Sequence, residues 1–219
     1  MAKKRSTHEA VQPRKTPLQR RSVETVVAVL ESSARILESH GFEGFNTNAI
    51  AERAGVSIGS LYQYFPNKDA LLSALIERET AALLASGEEF AHIQNCKEML
   101  RAYIGASIRH QMRRPRLARL LDIAEQREAF QPQVSQTVTR LQSVMENALR
   151  LPGAPKIENH SVAAGDILAL IRGLVDAAGE RGERASPELA HRVEGAVWGY
   201  LRSSESALEG VELHDFQKR

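Results

Sequence analysis

Residues 47 to 65 read Thr47-Asn48-Ala49-Ile50-Ala51-Glu52-Arg53-Ala54-Gly55-Val56-Ser57-Ile58-Gly59-Ser60-Leu61-Tyr62-Gln63-Tyr64-Phe65, and Pro66 follows. Apolar residues recur at helical spacing on both sides of Gly55-Val56-Ser57, which predicts two short amphipathic helices, 49–54 and 58–65, joined by a three-residue turn. Ala51 and Ala54 are small enough for the helices to approach closely. Gly55 suits a left-handed turn residue, and the Ser57 hydroxyl can accept from the free amides of the next turn. Pro66 ends the second helix, because proline disfavours helical backbone in the residue before it. Ile50, Ala51, Ala54, Val56, Leu61 and Phe65 then make a small shared core. The pattern is a helix-turn-helix.

On a helical wheel of roughly 100° per residue, Leu61, Phe65 and Ile58 gather on one side of the second helix. Gly59, Ser60 and Gln63 gather on the other, flanked by Tyr62 and Tyr64. A short polar face between two aromatic hydroxyls fits a helix in a major groove, with its centre on base edges and its flanks on the phosphates. Gln63 matches the edge of adenine, and Ser60 can meet several bases. Lys68, opening the next helix, joins a positive side chain to helix N-terminal amides, both attractive to phosphate. The charge distribution agrees. Residues 1–21 carry seven Lys and Arg against Glu9, a net +6, so within a chain of net +2 the remainder is −4. A basic arm beside a mildly acidic body points to an anionic polymer, or else to a solubilising tail.

The rest of the chain reads as helix. Residues 1–21 hold Pro13 and Pro17 without apolar periodicity and are expected to be a flexible arm. From Ser22, Val23, Val26, Val27, Leu30, Ala34 and Leu37 recur every three or four residues until Gly41 supplies a stop. Asn67 can cap a long helix carrying Leu71, Leu72, Leu75, Ile76 and Leu83. Further helices are predicted over 96–113, 115–128, 132–150, 159–180 and 187–207, separated by proline- and glycine-containing breaks. No stretch alternates with period two, so the fold class is all-α. No apolar run approaches the ~18 residues of a membrane span, and no secretory h-region opens the chain, so a cytoplasmic location is expected. Cys96 is the only cysteine; it permits no intrachain disulfide and reads as a small buried hydrophobe. The seven histidines are scattered without metal-binding spacing, and no nucleophile or phosphate-loop motif appears. No catalytic residue, metal or cofactor is therefore expected, and the chain does not read as an enzyme.

The pattern Thr47…Ile50-Ala51…Ala54-Gly55-Val56-Ser57…Gly59…Leu61-Tyr62-x-Tyr64-Phe65-x-Asn67-Lys68-x-x-Leu71 resembles the tetracycline-repressor (TetR) family of regulators, over about Val23 to Leu83. The family often has histidine where Tyr64 stands. The resemblance implies an N-terminal three-helix DNA-binding domain, 22–84, and a larger C-terminal helical domain, 85–219, for ligand binding and dimerisation. By resemblance Thr47, Tyr62, Tyr64 and Lys68 hold phosphates. Asn48, Gly59, Ser60 and Gln63 approach bases with Ser57 at the turn, while the helical angle turns Ile58 inward. The implied partners are a palindromic double-stranded DNA operator, a second copy of the chain and a small, apolar effector that releases a repressor. Ile167, Leu170, Ile171 and Leu174 form one stripe and Val193, Val197 and Leu201 another. Each faces either a partner protomer or its own core. Met99, Tyr103, Ile104, Met112, Leu117, Leu120, Phe130 and Met145 are candidates for an effector cavity, or plain core. Arg109, Arg113, Arg114, Arg116 and Arg119 read as a solvated basic face. Regulation without an effector, or activation instead of repression, stays open.

Overall fold

A computed structural model describes residues 20–210, apart from the side chains of residues 20, 21, 82, 83, 86–89, 91 and 205–210. Most of the basic arm, residues 1–19, lies outside the described residues; Arg20 and Arg21 already belong to the first helix. Every regular element among the described residues is helical. In chain order these are α1 (Arg20–Gly44), α2 (Thr47–Ala54), α3 (Ile58–Tyr64), α4 (Lys68–Glu89), α5 (Cys96–Arg113), α6 (Pro115–Glu125), α7 (Gln131–Ala148), α8 (His160–Glu180) and α9 (Pro187–Gly210). Short 3-10 turns cover Phe90–His92 and Glu128–Phe130.

The described residues divide into two compact units. The first runs to Ala82 and also takes in Arg114–Thr137; the second comprises Leu83–Arg113 and the chain from Val138 onward. In the first unit, Leu30, Ala34 and Leu37 of α1 are buried with Ile50 and Ala51 of α2, Leu61 and Phe65 around α3, and Leu71 and Leu75 of α4. Burying each large side chain there contributes roughly 1.5–3 kcal/mol. Leu117, Leu121 and Ala124 of α6 and the fully buried Phe130 close the same core. Leu117, Leu120 and Phe130, predicted as effector lining, thus pack in this core, whereas Met99, Tyr103 and Met145 are buried in that of the other unit. Ile104 is buried in that second core as well, and Met112 packs against it.

Charged residues fasten α6 and α4 to α1. Arg114 donates to Glu38 at 2.6 Å and to Glu31 at 3.2 Å, while Arg78 donates to Glu79 at 2.6 Å and approaches Glu31 at 3.5 Å. Arg114 is therefore a half-buried ion-pair partner and not part of a solvated basic face. Burial pushes the Glu31 carboxyl up, but the Arg35 hydrogen bond and the charges of Arg114, Arg78 and Arg35 outweigh it and hold the group below the ordinary carboxylate range.

In the second unit, α5, α8 and α9 pack with the end of α7 around Leu100, Ile104, Met145, Ala164, Ile167, Ile171, Val193, Val197 and Leu201. Ile167, Ile171, Val193, Val197 and Leu201 are each at most 2% exposed within the single protomer. These five cannot meet a partner copy: the stripes chosen as an interface face their own core. Leu170 and Leu174 remain half-buried. The opposite faces of α8 and α9 carry Gly165, Gly173, Gly195 and Gly199, and a Cβ at any of them would have no neighbour within 4 Å.

Candidate nucleic-acid interface

Three capped helix starts build the site. Asn46, extended at φ −136°, accepts from the Ala49 amide at 2.9 Å and starts α2 two residues earlier than the periodicity indicates. Gly55 ends α2 in the left-handed region at φ 69°, donating to the Ala51 and Glu52 carbonyls. Ser57 then caps α3 by accepting from the Ser60 amide at 3.0 Å. Phe65 leaves α3 extended ahead of Pro66, at φ −121° and ψ 105°. Asn67 caps α4 through the Ala70 amide at 2.8 Å. Each such cap contributes about 1 kcal/mol and aims the free amides of a helix start.

The candidate residues differ in exposure. Asn48, Ser57, Gly59, Tyr62, Gln63 and Lys68 are exposed, and Thr47, Ser60 and Tyr64 are half-buried. Thr47 Oγ1 and the Tyr62 hydroxyl share a hydrogen bond at 3.1 Å, tying the start of α2 to the middle of α3. The Ser57 and Ser60 hydroxyls lie 2.8 Å apart, so the cap also orients Ser60. Tyr64 rests its ring against the core. Leu61 is wholly buried beneath α3, opposite Gly59 and Gln63. Ile58 departs from its wheel position and is 38% exposed. It is the first residue of α3, where side chains lean toward the N-terminus, beyond the end of the helix.

Sequence reasoning missed Asn46 and a pair that completes this end of the unit. Arg127, from the segment between α6 and α7, donates to the Asp69 carboxylate in the first turn of α4 at 2.9 Å. A polar residue directly before Thr47 was a usable signal for the first; no local signal joins residues 58 positions apart. The second unit has an open cleft of about 600 Å³ lined by Lys97, Arg101, His191, Glu194, Trp198 and Arg202 among others, none of them predicted. Arg101 and Glu194 close on each other across it through two hydrogen bonds of 3.0 and 3.1 Å.

Residues 29–75, which span α1 to α4 and contain the whole capped motif, match the family of bacterial regulatory proteins, tetR family. The match places this segment, residues 29–75, among the tetR family of regulators. The HTH-type transcriptional repressor KstR of Mycolicibacterium smegmatis is 41% identical over 51 residues, 23% of this chain and 25% of that protein. The chain thus spans about a quarter of the length of the KstR relative it matches. Solved structures carry the fold across both units. A transcriptional regulator from Rhodococcus sp. RHA1 superposes with a TM-score of 0.69 at 20% identity, over 82% of this chain and 97% of that one. The regulator FadR from Bacillus subtilis, solved in complex with stearoyl-CoA, superposes with a TM-score of 0.67 at 17% identity, over 81% and 98%.

Proposed function

We propose that this TetR-family chain is a sequence-specific DNA-binding transcriptional regulator that acts as a dimeric repressor. The observation that carries this is the outer face of α3. Gly59 and Gln63 are exposed and Ser60 is half-buried, flanked by exposed Tyr62 and half-buried Tyr64, with Lys68 exposed at the capped start of α4. A seven-residue helix with a buried Leu61 and a polar outer face can enter a major groove. Gln63 then reads a base edge, Ser60 and Gly59 allow close approach, and Thr47, Tyr62, Tyr64 and Lys68 hold the flanking phosphates.

The dimer uses the outward faces of α8 and α9, where Gly165, Gly173, Gly195 and Gly199 leave room for a second copy of the same helices. Two such protomers present their α3 helices to half-sites one DNA turn apart, roughly 34–36 Å, and so select a palindrome. A small apolar effector lodges among α5 and α7 side chains of the second unit, Met99, Tyr103, Met112 and Met145. The similarly folded FadR is solved with stearoyl-CoA, and the acyl chain of that ligand, though not its charged CoA head, supports an apolar occupant. An effector that binds the DNA-incompetent state better lowers operator affinity by its differential binding free energy. In vitro selection from random duplex DNA with the full chain tests the reading. A palindromic motif is expected, and recovery of no enriched sequence would overturn it.

A further inference from the structure

Arg127 lies far from the helix-turn-helix in sequence, yet its guanidinium meets the residue that follows Lys68. Its Nη2 donates to Asp69 Oδ1 at 2.9 Å, and both side chains stay open to solvent, 43% and 31% exposed. The arginine is held from behind. Its amide donates to the Ala124 carbonyl and its carbonyl accepts from the Phe130 amide, each at 3.0 Å. The guanidinium carbon stands 5.1 Å from the centre of the Phe130 ring, which is fully buried.

Asp69 poses an electrostatic conflict. In the first turn of α4 a carboxylate suits the helix dipole. That same helix start is where Lys68 and the free amides would draw a DNA phosphate, and a bare carboxylate beside them repels it. Lys68 and Asp69 alone sum to zero; with Arg127 the cluster is +1. We propose that Arg127 is a positioning residue of the DNA interface, neutralising Asp69 so that the N-terminus of α4 stays attractive to phosphate. This inference rests on the DNA-binding reading above. It extends the interface beyond the helix-turn-helix to the segment between α6 and α7.

A pair that merely staples this segment to α4 would behave differently, and the sign of two substitutions separates the roles. Phosphate contacts are independent of sequence, so short random-sequence duplexes serve as the probe. Affinity of the full chain is measured by fluorescence anisotropy over a salt series, with thermal unfolding in parallel. Arg127→Met exposes the Asp69 charge and is expected to lower affinity about three- to tenfold, with a shallower salt dependence. Asp69→Asn leaves Arg127 charged and is expected to raise affinity and steepen the salt dependence. The double variant should return close to wild type. Losses of the same sign from both single variants, or unchanged affinity in Arg127→Met, would overturn the proposal while wild-type binding upholds the DNA-binding reading. A wild-type chain that binds no duplex at low salt would take down both.

Discussion

Gly44 and Gly59 show how differently single glycines constrain this chain. After Gly41 turns the backbone at φ 65°, the chain folds back so closely that a Cβ on Gly44 would lie 2.3 Å from His40 Cβ. Gly44→Ala is therefore expected to destabilise the first unit by about 1–3 kcal/mol, measured by urea unfolding. Around Gly59 the nearest heavy atom to a Cβ is Ser57 Oγ at 3.8 Å, so the protomer itself does not require glycine there. Gly59→Ala should leave stability unchanged or raise it by roughly 0.5–1 kcal/mol. It should still weaken operator binding by on the order of tenfold, because the methyl group intrudes on base edges. Unimpaired DNA binding by Gly59→Ala would remove that residue from the interface. Cys96 offers a check on the second core. Burial pushes its thiol up to about 11, so the native protein should resist thiol-directed reagents at neutral pH and react only on unfolding.

Among the elements, α6 depends most on charge. Arg114 immediately precedes its first turn and bridges Glu31 and Glu38 of α1, so Arg114→Met takes the cation from Glu38 and one of three arginines from Glu31. It should cost roughly 1–3 kcal/mol in thermal or chemical unfolding. Glu31 is held low in the folded state, so the unfolded chain binds more protons in acid. Its contribution to stability is complete above the ordinary carboxylate range and is lost as pH falls through the lower, folded value. Glu31→Gln should flatten that acid limb; an unchanged pH profile would contradict the network. The elements themselves were largely legible in the sequence. The break at Arg114-Pro115 correctly ends α5 at Arg113, and His160 and Pro187 open α8 and α9 within a residue of expectation. Partnerships were not legible. Nothing local shows that Arg114 reaches Glu38, 76 residues away, or that Leu117 and Phe130 join the core of α1–α4. An apolar stripe reveals that one face of a helix is covered but not by what, and Ile167 and Val197 are covered by their own chain. The capped motif was readable because its signals are short-range: Gly55 for the turn, Ser57 and Asn67 for the caps, Pro66 for the stop.

At the scale of the whole molecule, the proposed dimerisation and the proposed DNA reading can be tested apart. Gly173→Arg and Gly199→Arg place bulk where the protomer has open space, so each variant should stay folded yet sediment as a monomer, with operator affinity reduced by at least about tenfold through loss of the second half-site. Wild-type dimerisation in both would place the interface elsewhere. The division between the two units falls inside α4, at Ala82, so α4 connects Lys68 to the second unit along a single helix. In the proposed mechanism an effector acts on DNA through that helix. The account turns most directly on the salt dependence of binding by wild type, Gln63→Ala and Lys68→Ala, each on the selected duplex and on a shuffled one. Lys68→Ala should weaken both duplexes alike and reduce the salt slope by about one unit per lost phosphate contact. Gln63→Ala should cost about 1–3 kcal/mol on the selected duplex and almost nothing on the shuffled one. Equal losses from both variants on both duplexes, or no loss from either, would contradict the assignment of α3 and the start of α4 as the DNA-reading face.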